Sequence, residues 1–103
     1  MSKKYVCHTD AGHGWIAVNR KDLESLGILS KITPFSYQRG QTVYLEEDCD
    51  AGTFMNAKRE KGEEVPMRES YHDYSPIRLY ESFHPGTDTH WDYEQSKWIT
   101  PES

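Results

Sequence analysis

Glycine and proline interrupt this chain so often that no helix or strand can run far. Gly12 and Gly14, Gly27, Pro34, Gly40, Gly62, Pro66, Pro76 and Pro85-Gly86 each fall where a regular element has to stop or turn. Any long helix is thereby broken, and no run approaches the roughly 18 to 20 apolar residues that a membrane span requires. What remains for 103 residues is one small domain assembled from short pieces. Only 35% of the residues are hydrophobic and the mean hydropathy is -0.90, so aliphatic side chains are scarce and the aromatics, at 13%, must supply much of the buried surface.

The pieces can be read in order. Tyr5-Val6-Cys7-His8 and Trp15-Ile16-Ala17-Val18 are two short strands joined through Asp10-Ala11-Gly12-His13-Gly14, a hairpin whose glycines accept a tight connection. Asn19 is placed to cap a helix from Arg20 to Leu26, with Asp22 in the first turn and Gly27 at the end. Phe35-Ser36-Tyr37-Gln38 and Thr42-Val43-Tyr44-Leu45-Glu46 flank Arg39-Gly40-Gln41 as a second hairpin. Its alternation turns Val43 and Leu45 inward and Thr42, Tyr44 and Glu46 outward. A second helix is expected with Asp50 as its N-cap, Phe54, Ala57, Lys58 and Lys61 at helical spacing, and Gly62 as its stop. Glu63 to Pro66 reads as a connector, and Ile77 to Phe83 partly alternates as one further strand. The predicted fold is α+β: a domain over residues 1–83 with two short β-hairpins and two helices, followed by an extended C-terminal arm over residues 84–103.

Charge is distributed unevenly. Residues 1–62 hold nine basic and eight acidic side chains, residues 63–103 three and nine, so the net charge of -5 arises in the last 41 residues. That segment also holds seven of the 13 aromatics, which sets it apart from a disordered tail. Trp91, Tyr93 and Trp98, with Asp88, Asp92 and Glu94 among them, are therefore the expected partner-binding residues. The aromatics would anchor at an interface and the carboxylates steer toward a basic macromolecule. The same aromatics packed inward would enlarge a small core, and exchange of the arm between two copies in a homodimer would satisfy both readings. An acidic surface repels a phosphate backbone, so direct nucleic-acid binding through Lys3, Lys4, Arg20 and Lys21 is disfavoured.

Gly12-His13-Gly14-Trp15, the stretch from Leu23 to Ile32, Phe35-Ser36-Tyr37 and Val43-Tyr44-Leu45-Glu46-Glu47-Asp48-Cys49-Asp50-Ala51 together carry a resemblance. Over roughly residues 5–62 the chain resembles a group of small, mostly uncharacterised proteins of bacteriophages, prophages and plasmids. It is similar as well to a segment found within large polyvalent proteins of mobile elements. The resemblance implies a mobile-element origin and a bacterial cytoplasmic setting; it brings no assigned activity. The expected function is that of a non-enzymatic accessory protein binding a host or phage protein or a nucleoprotein complex, with counter-defence as one use. No membrane association, cofactor or catalytic residue is assigned.

Chemistry-bearing side chains support a competing reading. Cys7, His8, His13 and Cys49 offer the sulfur and imidazole donors of a tetrahedral zinc site, but without a Cys-x-x-Cys pair, and adjacent strand residues Cys7 and His8 point to opposite faces. Cys49 with His8 or His13 would make a thiolate and imidazole pair in a small enzyme, opposed by the neighbouring carboxylates. Two cysteines in a chain of this setting are expected to be free thiols. Glu46, Glu47, Asp48 and Asp50 fall short of a calcium loop, since Gly52 occupies the third ligand position, and are expected instead to favour a helix start.

Overall fold

The computed structural model describes residues 5–73, 75–86 and 89–99. Strand β1 (Tyr5–Thr9) turns back into β2 (Gly14–Asn19) with Cys7 opposite Ile16 and His8 opposite Trp15. The Asp10 carboxylate closes the turn by accepting from the backbone N–H groups of Gly12 and His13. Helix α1 (Arg20–Ser25) starts at Asn19, whose side chain accepts from the Lys21 N–H, and the chain leaves it through Gly27 in the left-handed region, φ +71°. A 3-10 turn at Leu29–Lys31 leads to β3 (Tyr37–Arg39) and β4 (Thr42–Glu46), a hairpin turning at Gly40 with φ +60°. Helix α2 (Asp50–Glu60) follows, then β5 (Met67–Tyr71), a 3-10 turn at Pro76–Leu79, the two-residue β6 (Glu81–Ser82), and the pair β7 (His90–Asp92) and β8 (Lys97–Ile99). No helix among the described residues is long and apolar enough to cross a membrane.

The first six strands form one mixed sheet in the order β5-β1-β2-β4-β3-β6, antiparallel throughout except for β1 with β5. Alternation sorts its side chains onto two faces. On the inner face Ile16, Val18, Val43 and Leu45 lie in register with one another, under Phe54 of α2 and with Leu23, Ile28, Ile32 and Phe83 around them; all are buried. The chain is α+β, and the expected inward set of the second hairpin is the one found.

Four local expectations change. Asp50 does not cap α2: Cys49 precedes the helix without a side-chain cap bond, and Asp50 is its first residue, 1% exposed. The Asp50 carboxylate accepts from the Thr33 N–H, from Thr33 Oγ1 at 2.8 Å and from Ser36 Oγ at 2.5 Å, while Ser36 Oγ itself accepts from the Glu46 N–H. The loop of Thr33 and Ser36, the end of β4 and the start of α2 are thus tied through one buried carboxylate whose desolvation is offset by several donors. The strand expected from Phe35 begins only at Tyr37, leaving Phe35 exposed. Ile77 lies in a 3-10 turn, because Pro76 pre-sets its first position and the Ser75 hydroxyl accepts from the Ile77 N–H. Finally, residues 67–71, beyond the expected connector, add a strand to the sheet edge.

The expected extended arm is folded back over its described part. β7 and β8 pair as a hairpin with Trp91 opposite Trp98. Asp92 Oδ1 accepts from the N–H groups of Glu94 and Gln95, and Ser96 turns the chain at φ +52°. The Trp98 indole N–H donates to the Ile32 carbonyl at 2.6 Å, which fastens the hairpin to the domain.

Candidate functional site

The hairpin divides its aromatics between two tasks. Trp98 is half-buried, with its ring edge-on to Phe83 at 6.2 Å and to His84 at 5.1 Å, so it is an anchor into the body. Trp91 packs edge-to-face on Trp98 at 5.3 Å and on Tyr93 at 6.5 Å, a cross-strand aromatic pair that stiffens a two-stranded element too short to stand alone. Tyr93 is 74% exposed and Glu94 is exposed beside it. Asp92 is half-buried, and its carboxylate is committed to the turn. Asp88 lies outside the described residues. Of the expected partner-binding set, the structure therefore brings Trp91, Tyr93, Asp92 and Glu94 onto one small hairpin and turns Trp98 inward.

The sulfur and imidazole groups are dispersed. Cys7 packs against the inner core, while His8 lies on the outer face, stacked on His72 at 5.9 Å and edge-on to Tyr44. Both cysteines are free, as expected. Cys49 Sγ sits 3.9 Å from Thr33 Oγ1, and partial burial followed by the adjacent Asp50 pushes its thiol up, away from the thiolate. Among the described residues no three His, Cys, Asp or Glu side chains gather where they would hold a metal ion. The four groups of the zinc reading do not converge, because a β-strand sends Cys7 and His8 to opposite sides of the sheet.

The outer face of the sheet holds a feature that the sequence reading did not assign. His8, Trp15 and Glu46 are register neighbours across β1, β2 and β4, and Ala17, Tyr44 and Tyr37 form the next row. A strap formed by residues 75–80 covers part of this surface. Within it Ile77 is buried, Tyr80 packs on Tyr44 at 5.2 Å, and the Arg78 guanidinium lies 5.5 Å from the centre of the Trp15 ring. Arg78 is fixed there by the first hairpin turn, its Nε donating to Asp10 Oδ2 at 2.8 Å and its Nη2 to Asp10 Oδ1 at 3.0 Å. That bidentate pair holds the Asp10 carboxyl well below the usual carboxylate range.

Beside the strap the face opens into a cavity of about 330 Å³. Trp15, Tyr37 and the exposed Phe35 supply its aromatic walls, Glu46 and Asp48 its carboxylates. Arg78 and His13 complete the rim. Partial burial and the neighbouring Asp48 push the Glu46 carboxyl up, with Glu47 adding to the effect, while the backbone N–H of Asp48, which donates to Glu46 Oε2, and nearby His13 oppose it. The Trp15 side chain is buried, and its indole N–H has no hydrogen-bond partner among the described residues. The signal for this surface in the sequence is the outward parity of Trp15, Tyr37, Tyr44 and Glu46, opposite to that of Ile16, Val43 and Leu45.

Compared with protein-family models, curated proteins and solved structures, the chain matches none.

Proposed function

We propose that this protein is a non-enzymatic accessory protein of a phage or other mobile element, acting in the bacterial cytoplasm by docking onto a basic protein or nucleoprotein of the host. The observation that carries this reading is the division of labour within the hairpin. Trp98 fixes the element to the body through its bond to the Ile32 carbonyl, the half-buried Trp91 packs between Trp98 and Tyr93, and the exposed Tyr93 stands outward with Glu94 beside it. Rigid aromatic side chains make large contacts at small entropic cost, and surrounding carboxylates accelerate encounter with a cationic surface. A net charge of -5 adds long-range attraction of the same sign and disfavours a phosphate backbone as the direct ligand. The resemblance of residues 5–62 to small phage and plasmid proteins supports the mobile-element setting. Counter-defence is one use such docking serves, since an acidic surface competes with nucleic acid for a basic groove.

Affinity capture from host lysate with the intact chain and with a Trp91→Ala/Tyr93→Ala variant tests the reading. The expected result is a defined basic protein retained by the intact chain and lost with the variant, whose circular dichroism is unchanged. Equal retention by both removes the hairpin from the interface.

A further inference from the structure

We infer that the outer-face cavity is a receptor for a cationic side chain, the guanidinium of an arginine or the ammonium of a lysine, presented by a protein partner. This deepens the docking reading and rests on it only for the origin of the cation. The chemistry of the lining carries the argument. Tyr37 and the exposed Phe35 present aromatic surface, backed by the buried Trp15, which is edge-to-face with Tyr37 at 6.3 Å and already carries the Arg78 guanidinium over its ring; the electron-rich faces of such rings attract cations. Glu46 stands directly across the strand register from Trp15, with Asp48 at the same opening. Neither carboxylate has an ion-pair partner among the described residues. The positive charge of Arg78 is matched by Asp10 in the bidentate pair, so that wall brings no net charge. The cavity is thus left with uncompensated negative charge beside aromatic surface, the combination that a side-chain cation fills.

A second observation points to a ligand independently of the carboxylates. The buried Trp15 indole N–H lacks an acceptor among the described residues, and an unmet buried donor is costly enough that native interiors rarely keep one. Trp15 lines the cavity, so a peptide seated there brings backbone carbonyls close to this donor. Geometry holds the site ready. Ser36 Oγ, itself bonded to the buried Asp50, fixes the Glu46 backbone, and the Asp10–Arg78 pair fixes the strap over Trp15. The exposed Phe35, at the end of the loop tied to Asp50 through Thr33, stands at the mouth as an apolar contact for the aliphatic stem of an arginine or lysine.

The test is nuclear magnetic resonance titration of the full chain with Nα-acetyl-arginine amide, Nα-acetyl-lysine amide, the uncharged Nα-acetyl-norleucine amide and the acidic Nα-acetyl-glutamate amide. Saturable shifts centred on the Trp15 indole N–H and the Glu46 and Asp48 amides are expected with one or both cations. Removing the charge with Glu46→Gln/Asp48→Asn, which preserves shape and keeps an acceptor for the Asp48 N–H, should weaken binding by about tenfold or more, the loss of one charge-assisted contact. Trp91→Ala/Tyr93→Ala should leave these shifts intact, so failure of the hairpin reading and failure of the cavity reading are separable. Equal shifts with norleucine, a preference for the glutamate probe, cation shifts unchanged in the double variant, or no shift at the cavity with either cation would each overturn the inference.

Discussion

The two faces of the sheet solve opposite problems. The inner face is aliphatic, closed by α2, and leaves Val43, Leu45, Leu23, Ile32 and Phe54 without measurable exposure. The outer face is built from Trp15, Tyr37, Tyr44 and His8, is partly covered, among the described residues, by the strap, and opens beside it into cavities of about 330 and 210 Å³. A chain with few aliphatic residues concentrates them on one side, where they set stability. On the other it keeps aromatic rings whose polar edges and faces suit a ligand as well as a core.

The largest effect that could break this contrast is on the inner face. Phe54→Ala should cost about 3–5 kcal/mol, enough to unfold most of a small domain at moderate temperature, and thermal denaturation followed by circular dichroism reads it directly. A loss below one kcal/mol would mean that α2 is not the seal of the core. Asp50→Ala should follow at about 2–3 kcal/mol, since it strands the buried Ser36 hydroxyl and the Thr33 N–H; denaturant titration should show the shift in midpoint, with Asp50→Asn less affected.

On the outer face the sharper probe is pH. Asp10 is held below its ordinary range by Arg78, so the tether of the strap is at full strength above the unfolded carboxyl value of about 4 and fades as pH falls through the lower folded value. The stability difference between the wild type and Asp10→Asn should therefore be constant at neutral pH and shrink progressively in acid. His8 titrates earlier. Partial burial, followed by the facing His72 and Arg68, lowers its value, so the stability it contributes is present above about pH 6.5 and is lost as pH falls through the lower folded value. Titration of the His8 imidazole followed by nuclear magnetic resonance should show loosening around Tyr44 and Tyr80 before the strap itself releases. The smallest effect belongs to Tyr93→Ala, where exposure predicts a stability change within about 0.5 kcal/mol.

Sequence reasoning succeeds where one chemical signal dominates. Alternation places Val43 and Leu45 inward, and Asn19 before Arg20 gives the cap of α1. It fails where tertiary partners decide. Met67–Tyr71 is mostly exposed and polar on both faces, so nothing local distinguishes it from a connector; it becomes a strand because β1 offers a free edge. Asp50 has the residue type of a cap, but donors from a loop 17 positions earlier claim its carboxylate. The hairpin at 90–99 is concealed by the expectation that an acidic segment rich in turn formers stays extended, although Trp91 and Trp98 lie at the spacing that pairs them across a turn. The cavity required knowing that residues 75–80 cross the outer face, a placement fixed by the long-range Arg78–Asp10 pair.

Site-specific photo-crosslinking in bacterial cells addresses the central claim without first naming a partner. Benzoylphenylalanine in place of Phe35 or Tyr93, both exposed and without a core role, is expected to trap the same basic protein, whereas the probe in place of Asn56 on the exposed side of α2 is expected to trap none. Adducts from position 56 alone, or none from 35 and 93 with the protein folded and present, would contradict it.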